Sequence, residues 1–145
     1  MSAGHRLGAW RGILPLLALL LCMCLTSGAW AQALQPVPAP SSHLVDTTNT
    51  LAGAEREALE QKLTAFETET GTQIGILVVP TTAPEDIFSY SNRAANLWKL
   101  GRKDVGDGLL LVVAKDDHQL RIEVAKTLEG AIPDLMAKRI IDQAI

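Results

Sequence analysis

Carboxylates follow two of the apolar segments in this sequence of 145 residues. Asp46 comes directly after Leu44 and Val45, and Asp116 and Asp117 come shortly after a longer apolar run. Because ligands of open α/β sheets bind beyond the carboxyl ends of parallel strands, we expect these three side chains at one sheet edge. Carboxylate oxygens are hard ligands that suit Ca²⁺ or Mg²⁺. The sequence therefore predicts a divalent-cation site there; the alternative is that each aspartate only stabilises its own turn.

A second group of polar residues is expected at the opposite end of the sheet. Asp107 and Gly108 precede an apolar run, so their simplest role is a turn that leads into a strand. Asp107 becomes a ligand only if Glu129 or Asp134 approaches it, which makes Asp107 with Glu129 the second candidate acidic site. Arg121 is the candidate phosphate-binding residue, because its planar guanidinium matches the geometry of a phosphate.

No residue of this sequence can be named as a catalytic group. There is no Gly-x-Ser-x-Gly motif, and both cysteines lie near the N-terminus, at positions 22 and 24. His118 has no second His or Cys nearby, which argues against a zinc site. Asp46 followed by Thr48 matches the aspartyl-nucleophile phosphatase pattern only weakly, because Thr48 stands where that pattern has an acid. No block of Lys and Arg is present, which argues against binding to nucleic acid.

The N-terminal residues have the organisation of a secretory signal peptide. Two arginines give a cationic start, residues 13–25 are apolar, and Ala29 and Ala31 supply the small residues before a cleavage site. We therefore expect cleavage after Ala31 and export to the periplasm or the extracytoplasmic face of the membrane. An uncleaved signal anchor is the alternative, although a membrane span needs roughly 20 apolar residues. Removing residues 1–31 takes away Arg6, Arg11 and both cysteines. The remainder is therefore more acidic than the whole chain, whose net charge is −3.

Residues 32–43 are rich in proline and alanine, with Pro36, Pro38 and Pro40 spaced at every second position. This composition favours extended polyproline II structure. It predicts a linker that acts as a tether between the export signal and a folded domain.

Apolar periodicity in the rest of the chain predicts alternating helices and strands. Strands are expected over 44–45, 74–79, 109–114 and 120–124, and helices over 54–70, from 84–86 and from 133–134. The connections predict parallel pairing of the first three strands and a hairpin to the fourth.

The same periodicity predicts which side of each helix faces the core. In the first helix, Leu59, Leu63 and Phe66 are expected to face inward, and Glu60 and Glu67 are expected to face away. In the second helix the inward stripe is Ile87, Tyr90, Ala94 and Leu97. In the last strand Arg121 and Glu123 should occupy a solvated face.

Several short motifs follow one another in a distinctive order. They are Leu44-Val45-Asp46, Phe66 to Ile74, Trp98-Lys99-Leu100-Gly101, Asp107 to Ala114, Asp116-Asp117, Arg121 to Val124 and Leu128-Glu129-Gly130. This order resembles the TPM domain, a family that includes exported bacterial proteins and a thylakoid-lumen protein that assists photosystem II repair. The resemblance extends from Leu44 to Ile145.

The resemblance implies a three-layer α/β/α sandwich with a small mixed sheet, export, and divalent-cation binding at an acidic cleft. In some members it also implies weak phosphatase or nucleotide-hydrolysing activity. The residues that match polar positions of the family are Asp46, Asp107, Asp116, Asp117, Arg121 and Glu129. The sequence departs from the family at Gly106, where an acidic residue is usual, and at residues 125–127, where the family has Gly-Tyr-Gly.

Many bacterial relatives continue into a transmembrane helix and a Gly-rich tail, which this sequence does not show. The last helix carries Ile140, Ile141 and Ile145 with no following element to cover them, so we expect the C-terminal part of the domain to be missing. The hypothesis from sequence is an exported domain that binds a divalent cation and assists a membrane or envelope protein. The alternative is a metal-dependent acid phosphatase or nucleotide phosphohydrolase.

Overall fold

The structure is a computed structural model that describes residues 32–144. The predicted signal peptide and its cleavage site at Ala31 lie outside these residues. The strands are β1 (Leu44–Asp46), β2 (Gln73–Val79), β3 (Gly108–Ala114) and β4 (Gln119–Val124), and the helices are α1 (Gly53–Thr70), α2 (Ile87–Trp98) and α3 (Asp134–Ala144). Among the described residues, none of the helices combines the length and the apolar character that crossing a bilayer requires.

The four strands form one mixed sheet whose order is β1-β2-β3-β4. β1 and β3 both run parallel to β2, and β4 returns antiparallel to β3. The predicted parallel connections and the predicted hairpin are therefore confirmed. In this register Leu77 lies beside Val112, and Val112 lies beside Arg121, so these three residues share one face of the sheet.

The main hydrophobic core lies between α2 and that face of the sheet. Its members are residues of β2, β3 and α2 that are almost completely buried: Leu77, Val79, Tyr90, Ala94, Trp98, Leu110, Val112 and Ala114. Burial of such apolar side chains is the main source of stability in a domain of this size.

The opposite face of the sheet is covered by α1 over β1 and β2. Leu63 of α1 is buried, and so are Leu44 and Val78, which the strand alternation places on this face. α3 packs beside β4. Helices on both faces of a small mixed sheet give the predicted three-layer α/β/α arrangement.

The boundaries and the inward face of α2 differ from the sequence prediction. The helix begins at Ile87, because the Asp86 carboxylate caps it by accepting hydrogen bonds from the Ser89 backbone N–H (2.9 Å) and hydroxyl (2.8 Å). Leu97 is 52% exposed and Trp98 is buried in its place. The prediction that Leu97 faces the core is therefore wrong.

Three further face predictions are also wrong. Phe66 of α1 does not face inward, because it is 40% exposed. Glu60 and Glu67 do not face away from the sheet, because both carboxylates contact His43 at the start of β1. Arg121 and Glu123 lie on the face that α2 covers, since they pair with Val112 and Leu110 in the β3–β4 register. The alternating pattern of β4 correctly predicts two different faces, but its polar face is turned toward a helix.

Residues 33–43, which we call the N-terminal strap, are extended but are packed on the domain. Tyr90 Oη donates a hydrogen bond to the Pro36 carbonyl (3.2 Å), and Trp98 Nε1 donates one to the Pro38 carbonyl (2.8 Å). Val37 packs against the main core. The segment is extended, as its proline content predicts. It differs from the predicted tether because hydrogen bonds from α2 fasten it to the domain.

Candidate functional site

The carboxylate of Asp46, at the end of β1, accepts hydrogen bonds from the loop that follows it. Its Oδ1 accepts hydrogen bonds from the Thr48 backbone N–H (2.9 Å) and hydroxyl (2.7 Å), and its Oδ2 accepts one from the Leu51 N–H (3.0 Å). Arg56 lies 3.7 Å from the same carboxylate, whose side chain is 0% exposed. Burial alone would raise the pKa of Asp46, but the hydrogen bonds from Leu51 and Thr48 outweigh it and lower the pKa.

Asp117 in the β3–β4 turn has a similar structural role. Its carboxylate accepts hydrogen bonds from the Thr82 backbone N–H (2.8 Å) and from the Thr81 hydroxyl (2.8 Å). These hydrogen bonds, with that of Thr82 first, lower the pKa of Asp117. Asp116 is exposed, and its backbone N–H donates to the Pro80 carbonyl at 2.8 Å. Asp117 therefore ties the turn to the loop that follows β2.

The sheet order separates these aspartates. β2 lies between β1 and β3, and adjacent strands are about 4.8 Å apart, so the ends of β1 and β3 are about 10 Å apart. Residues 32–144 contain no group of three or more His, Cys, Asp or Glu side chains placed to hold a metal ion. The cation site predicted from Asp46, Asp116 and Asp117 stays a prediction, and the contacts of Asp46 and Asp117 match the turn-stabilising alternative.

Asp107 at the opposite end of the sheet closes the loop before β3. Its carboxylate accepts three hydrogen bonds from Arg102: from the backbone N–H (2.9 Å), from Nε (2.9 Å) and from Nη2 (2.6 Å). The guanidinium of Arg102 lowers the pKa of Asp107. The structure therefore pairs Asp107 with Arg102, and the second acidic site predicted from Asp107 and Glu129 stays a prediction.

Glu129 instead borders a cleft that sequence reasoning did not identify. The cleft has a volume of about 330 Å³ and lies between α2, the start of β3 and the segment that follows β4. Its polar lining residues come from three separate elements: Asn92, Asn96, Lys99, Glu123 and Glu129.

Apart from Glu129, the residues that bring side-chain oxygen atoms to this cleft belong to α2 and β4. Glu123 is directed to the α2 side because it lies beside Leu110 in the register. Asn96 Nδ2 donates to the Asn92 carbonyl (2.9 Å) and to Asn92 Oδ1 (3.1 Å), which fixes the two amides next to each other on α2. A spacing of four residues on a helix is the only sequence signal that relates these asparagines, and it is too common to identify a site.

Arg121, the predicted phosphate ligand, lies just outside this cleft. Its Nε donates to Glu123 Oε2 at 2.9 Å, and its guanidinium carbon lies 4.4 Å from the centroid of the Phe88 ring. The side chain thus has a carboxylate partner and a cation–π partner. Both contacts fix it between β4 and α2.

Comparison with known proteins assigns the family. A model of the TPM domain family matches residues 44–145. This chain belongs to the TPM domain family. The solution NMR structure of the N-terminal domain of a protein from P. gingivalis has the same fold, with a TM-score of 0.62 and 26% sequence identity. That alignment covers 70% of this chain and 64% of the solved one, and no curated protein matches this chain.

Two TPM motifs of the sequence meet at the cleft. Gly108, from the Asp-Gly pair, lies on one side, and Glu129, from Leu-Glu-Gly, lies on the other. Ala125, the first residue of the segment where the sequence departs from the pattern of the family, also lines the cleft. The cleft between α2 and β4 is therefore the candidate functional site of this TPM domain.

Proposed function

We propose that this chain is an exported TPM domain protein that binds a divalent cation in the cleft between α2 and β4 and thereby assists a membrane or envelope protein. The observation that carries the proposal is that Glu123, Glu129, Asn92 and Asn96, whose side chains all carry oxygen atoms, line one cleft. Export is supported by the signal-peptide pattern of residues 1–31.

The donor chemistry of the cleft fits a hard cation. Ca²⁺ takes about six to eight oxygen ligands from carboxylates, amides, carbonyls and water, and Mg²⁺ keeps several of its own waters. Glu123, Glu129 and the side-chain oxygens of the asparagines are such ligands. Lys99 borders the same cleft, and its positive charge opposes binding. We therefore expect a weak site that functions only where the cation is abundant.

A cation bound there would join elements that are far apart in the sequence. Glu123 belongs to β4, and Glu129 belongs to the segment that leads to α3. Arg121 already offsets part of the negative charge of Glu123, and a bound cation would offset the charge of Glu129 as well. The cation supplies positive charge, and the chain supplies the rigid frame of α2 and the sheet. Binding would therefore tie the segment between β4 and α3 to β4, and the surface formed there would be the one that a partner protein recognises.

The phosphatase alternative has weaker support from the contacts of its candidate residue. A phosphate ligand needs an arginine that can turn its guanidinium to the substrate. Arg121 is held by Glu123 and by the Phe88 ring. Hydrolysis of a generic phosphomonoester, measured with Ca²⁺, with Mg²⁺ and with EDTA, tests this alternative separately from binding.

The cation proposal is tested by thermal unfolding of the full chain with increasing Ca²⁺ or Mg²⁺. A ligand that binds only the native state raises the midpoint by mass action. We expect an upward shift that disappears in Glu129→Gln and remains in Asp116→Asn. Asp116→Asn is the matched control because it also removes one exposed carboxylate, but at the opposite end of the sheet.

Two outcomes would contradict the proposal. If Asp116→Asn and Asp46→Asn abolish the shift while Glu129→Gln keeps it, the cation binds at the carboxyl ends of the parallel strands. If neither cation shifts the wild-type midpoint, the chain has no such site, and the carboxylates of the cleft serve another purpose.

A further inference from the structure

A histidine lies between two glutamates on the side of the domain that α1 covers. His43 Nδ1 lies 2.8 Å from Glu60 Oε1, and His43 Nε2 lies 2.6 Å from Glu67 Oε2. Glu60 and Glu67 are seven residues apart on α1, which places them on the same side of the helix two turns apart. We call these three side chains the His43 bridge.

The geometry of the bridge fits the protonated form of the imidazole. A neutral imidazole has one N–H group and one acceptor nitrogen, whereas an imidazolium has two N–H groups. Both ring nitrogens of His43 face carboxylate oxygens, which can only accept hydrogen bonds. Only the imidazolium can donate to both, and these charge-assisted hydrogen bonds are stronger than neutral ones.

Each glutamate is also held by a second donor. The backbone N–H of Leu44 donates to Glu60 Oε2 at 2.9 Å, and the side-chain amide of Gln73 donates to Glu67 Oε1. The His43 backbone N–H adds a further hydrogen bond to Glu60 Oε1 at 3.0 Å. These contacts hinder the carboxylates from turning away when the imidazole loses its proton. Loss of the proton therefore leaves a nitrogen lone pair against a fixed carboxylate oxygen.

The charges that face His43 all favour the protonated form. α1 contributes Glu60 and Glu67, and β2 contributes the neutral Gln73, which orients Glu67. Within residues 32–144, the ion pairs of His43 are those with these two glutamates. Burial alone would lower the pKa of His43, but the hydrogen bonds and charges of Glu67 and Glu60 outweigh it and raise the pKa. The ring is 20% exposed, so water reduces but does not remove this effect.

We propose that the His43 bridge is a proton-dependent clamp that fastens the end of the N-terminal strap and the start of β1 to α1. β1 has only three residues and pairs with β2 alone, so few backbone hydrogen bonds hold it. When His43 is charged, its hydrogen bonds to Glu60 and Glu67 add to the attachment of β1 to the domain. The clamp is independent of the cleft, because its residues are not among those that line the cleft.

The direction of the pH dependence follows from linkage. A group that binds its proton more tightly in the folded state gives its full stabilisation below its unfolded pKa, which is about 6.5 for histidine. That stabilisation is lost as the pH rises through the higher pKa of the folded state. The clamp is therefore closed in weak acid and opens in alkaline solution.

The test combines an NMR titration with thermal unfolding of the full chain. The ¹⁵N and ¹H signals of the His43 ring, assigned by their absence in His43→Gln, should show both nitrogens protonated in weak acid and a pKa above about 6.5. From about pH 6 to about pH 9, the wild-type midpoint should fall by about 4 °C or more relative to that of His43→Gln. His118→Asn is the matched control, because His118 is exposed and its positive φ of 51° is one that asparagine tolerates.

The proposal is overturned if His43 titrates at or below the ordinary value, or if His43→Gln keeps the wild-type pH dependence. If His43→Gln does not fold, Glu67→Gln in its place should lower the pKa of His43, and an unchanged His43 titration in that variant also overturns the clamp. A His118→Asn variant that loses the pH dependence would assign the effect to the β3–β4 turn.

Discussion

Arg102 and Asp107 are joined by three hydrogen bonds, one from the backbone N–H and two from the guanidinium, all to one carboxylate. The pair spans the loop between α2 and β3. Its carboxylate is 5% exposed, whereas the arginine side chain is 55% exposed. The loop therefore has a buried anion at its centre that an arginine covers from the solvent side.

Replacing Arg102 by alanine should weaken the domain in a pH-dependent way. The pKa of Asp107 is lowered in the folded state, so its stabilisation is present above the unfolded value of about 3.9 and is lost as the pH falls through the lower folded value. We expect Arg102→Ala to lower the urea midpoint at pH 7 and to differ less from wild type near pH 2. Lys103→Ala, at an exposed neighbouring position, should change neither. Equal destabilisation of the arginine variant at both pH values would contradict this origin.

A side chain at position 108 should clash with the backbone of the same loop. A Cβ on Gly108 would lie 2.2 Å from the Leu100 carbonyl oxygen, and backbone atoms cannot turn aside as a flexible side chain can. We expect Gly108→Ala to cost about 1–3 kcal/mol or more in chemical denaturation. Gly53→Ala at the start of α1 meets nothing within 4 Å and should leave stability unchanged or slightly raised. A neutral Gly108→Ala would show that Leu100 moves.

The strap should depend on the hydroxyl of Tyr90. Tyr90→Phe keeps the buried ring and removes the hydrogen bond to the Pro36 carbonyl. We expect a loss of about 0.5–1.5 kcal/mol in unfolding free energy. Trp98 is the only tryptophan after residue 31, so in protein that begins at Gln32 its fluorescence reports on the strap directly. A red-shifted native emission in Tyr90→Phe would indicate a looser strap, and an unchanged stability would show that water replaces the hydroxyl.

The export prediction has a direct check by intact-mass analysis. Protein recovered from outside the cytoplasm should begin at Gln32, because cleavage after Ala31 follows the small-residue pattern. A membrane-bound species that still begins at Met1 would support the signal anchor.

The strands could be predicted because their signal is local. Residues 74–79 and 109–114 are almost wholly apolar and rich in leucine and β-branched residues, and the four residues after Ala114 are too few for a crossover. The parallel and antiparallel pairings follow from these lengths alone. The start of α2 was predicted less accurately. An aspartate that caps a helix and an aspartate in its first turn give the same sequence pattern, so the pattern did not show which role Asp86 has.

The helix faces could not be predicted where a distant partner decides them. Glu60 and Glu67 turn inward because His43, 17 and 24 residues away, binds both of them. Trp98 is buried in place of Leu97 because the strap accepts its N–H at Pro38. A periodic pattern places charged residues on the solvent side of a helix, and it contains no information about partners that are distant in the sequence.

The candidate site could be predicted only in part. The sequence correctly indicates polar groups at both ends of the sheet, but it does not reveal that Asp46 and Asp117 already have N–H and O–H donors within their own loops. Such local bonding competes with ligand binding. Glu129 was identified, whereas its neighbours Asn92, Asn96 and Glu123 come together only through the packing of α2 on β4.

The order of the strands also determines the order in which the domain can fold. The strands lie in the sheet in the same order as in the chain. Each strand can therefore pair with the strand that precedes it in the sequence, and no strand needs a partner from much later in the chain. The strap is the exception: its residues Pro36 and Pro38 are made before α2, whose side chains bind their carbonyl groups. A chain that folds from its N-terminus therefore completes the sheet between β1 and β2 while its proline-rich segment is still undocked. Docking of that segment becomes a late step of folding, reported by Trp98.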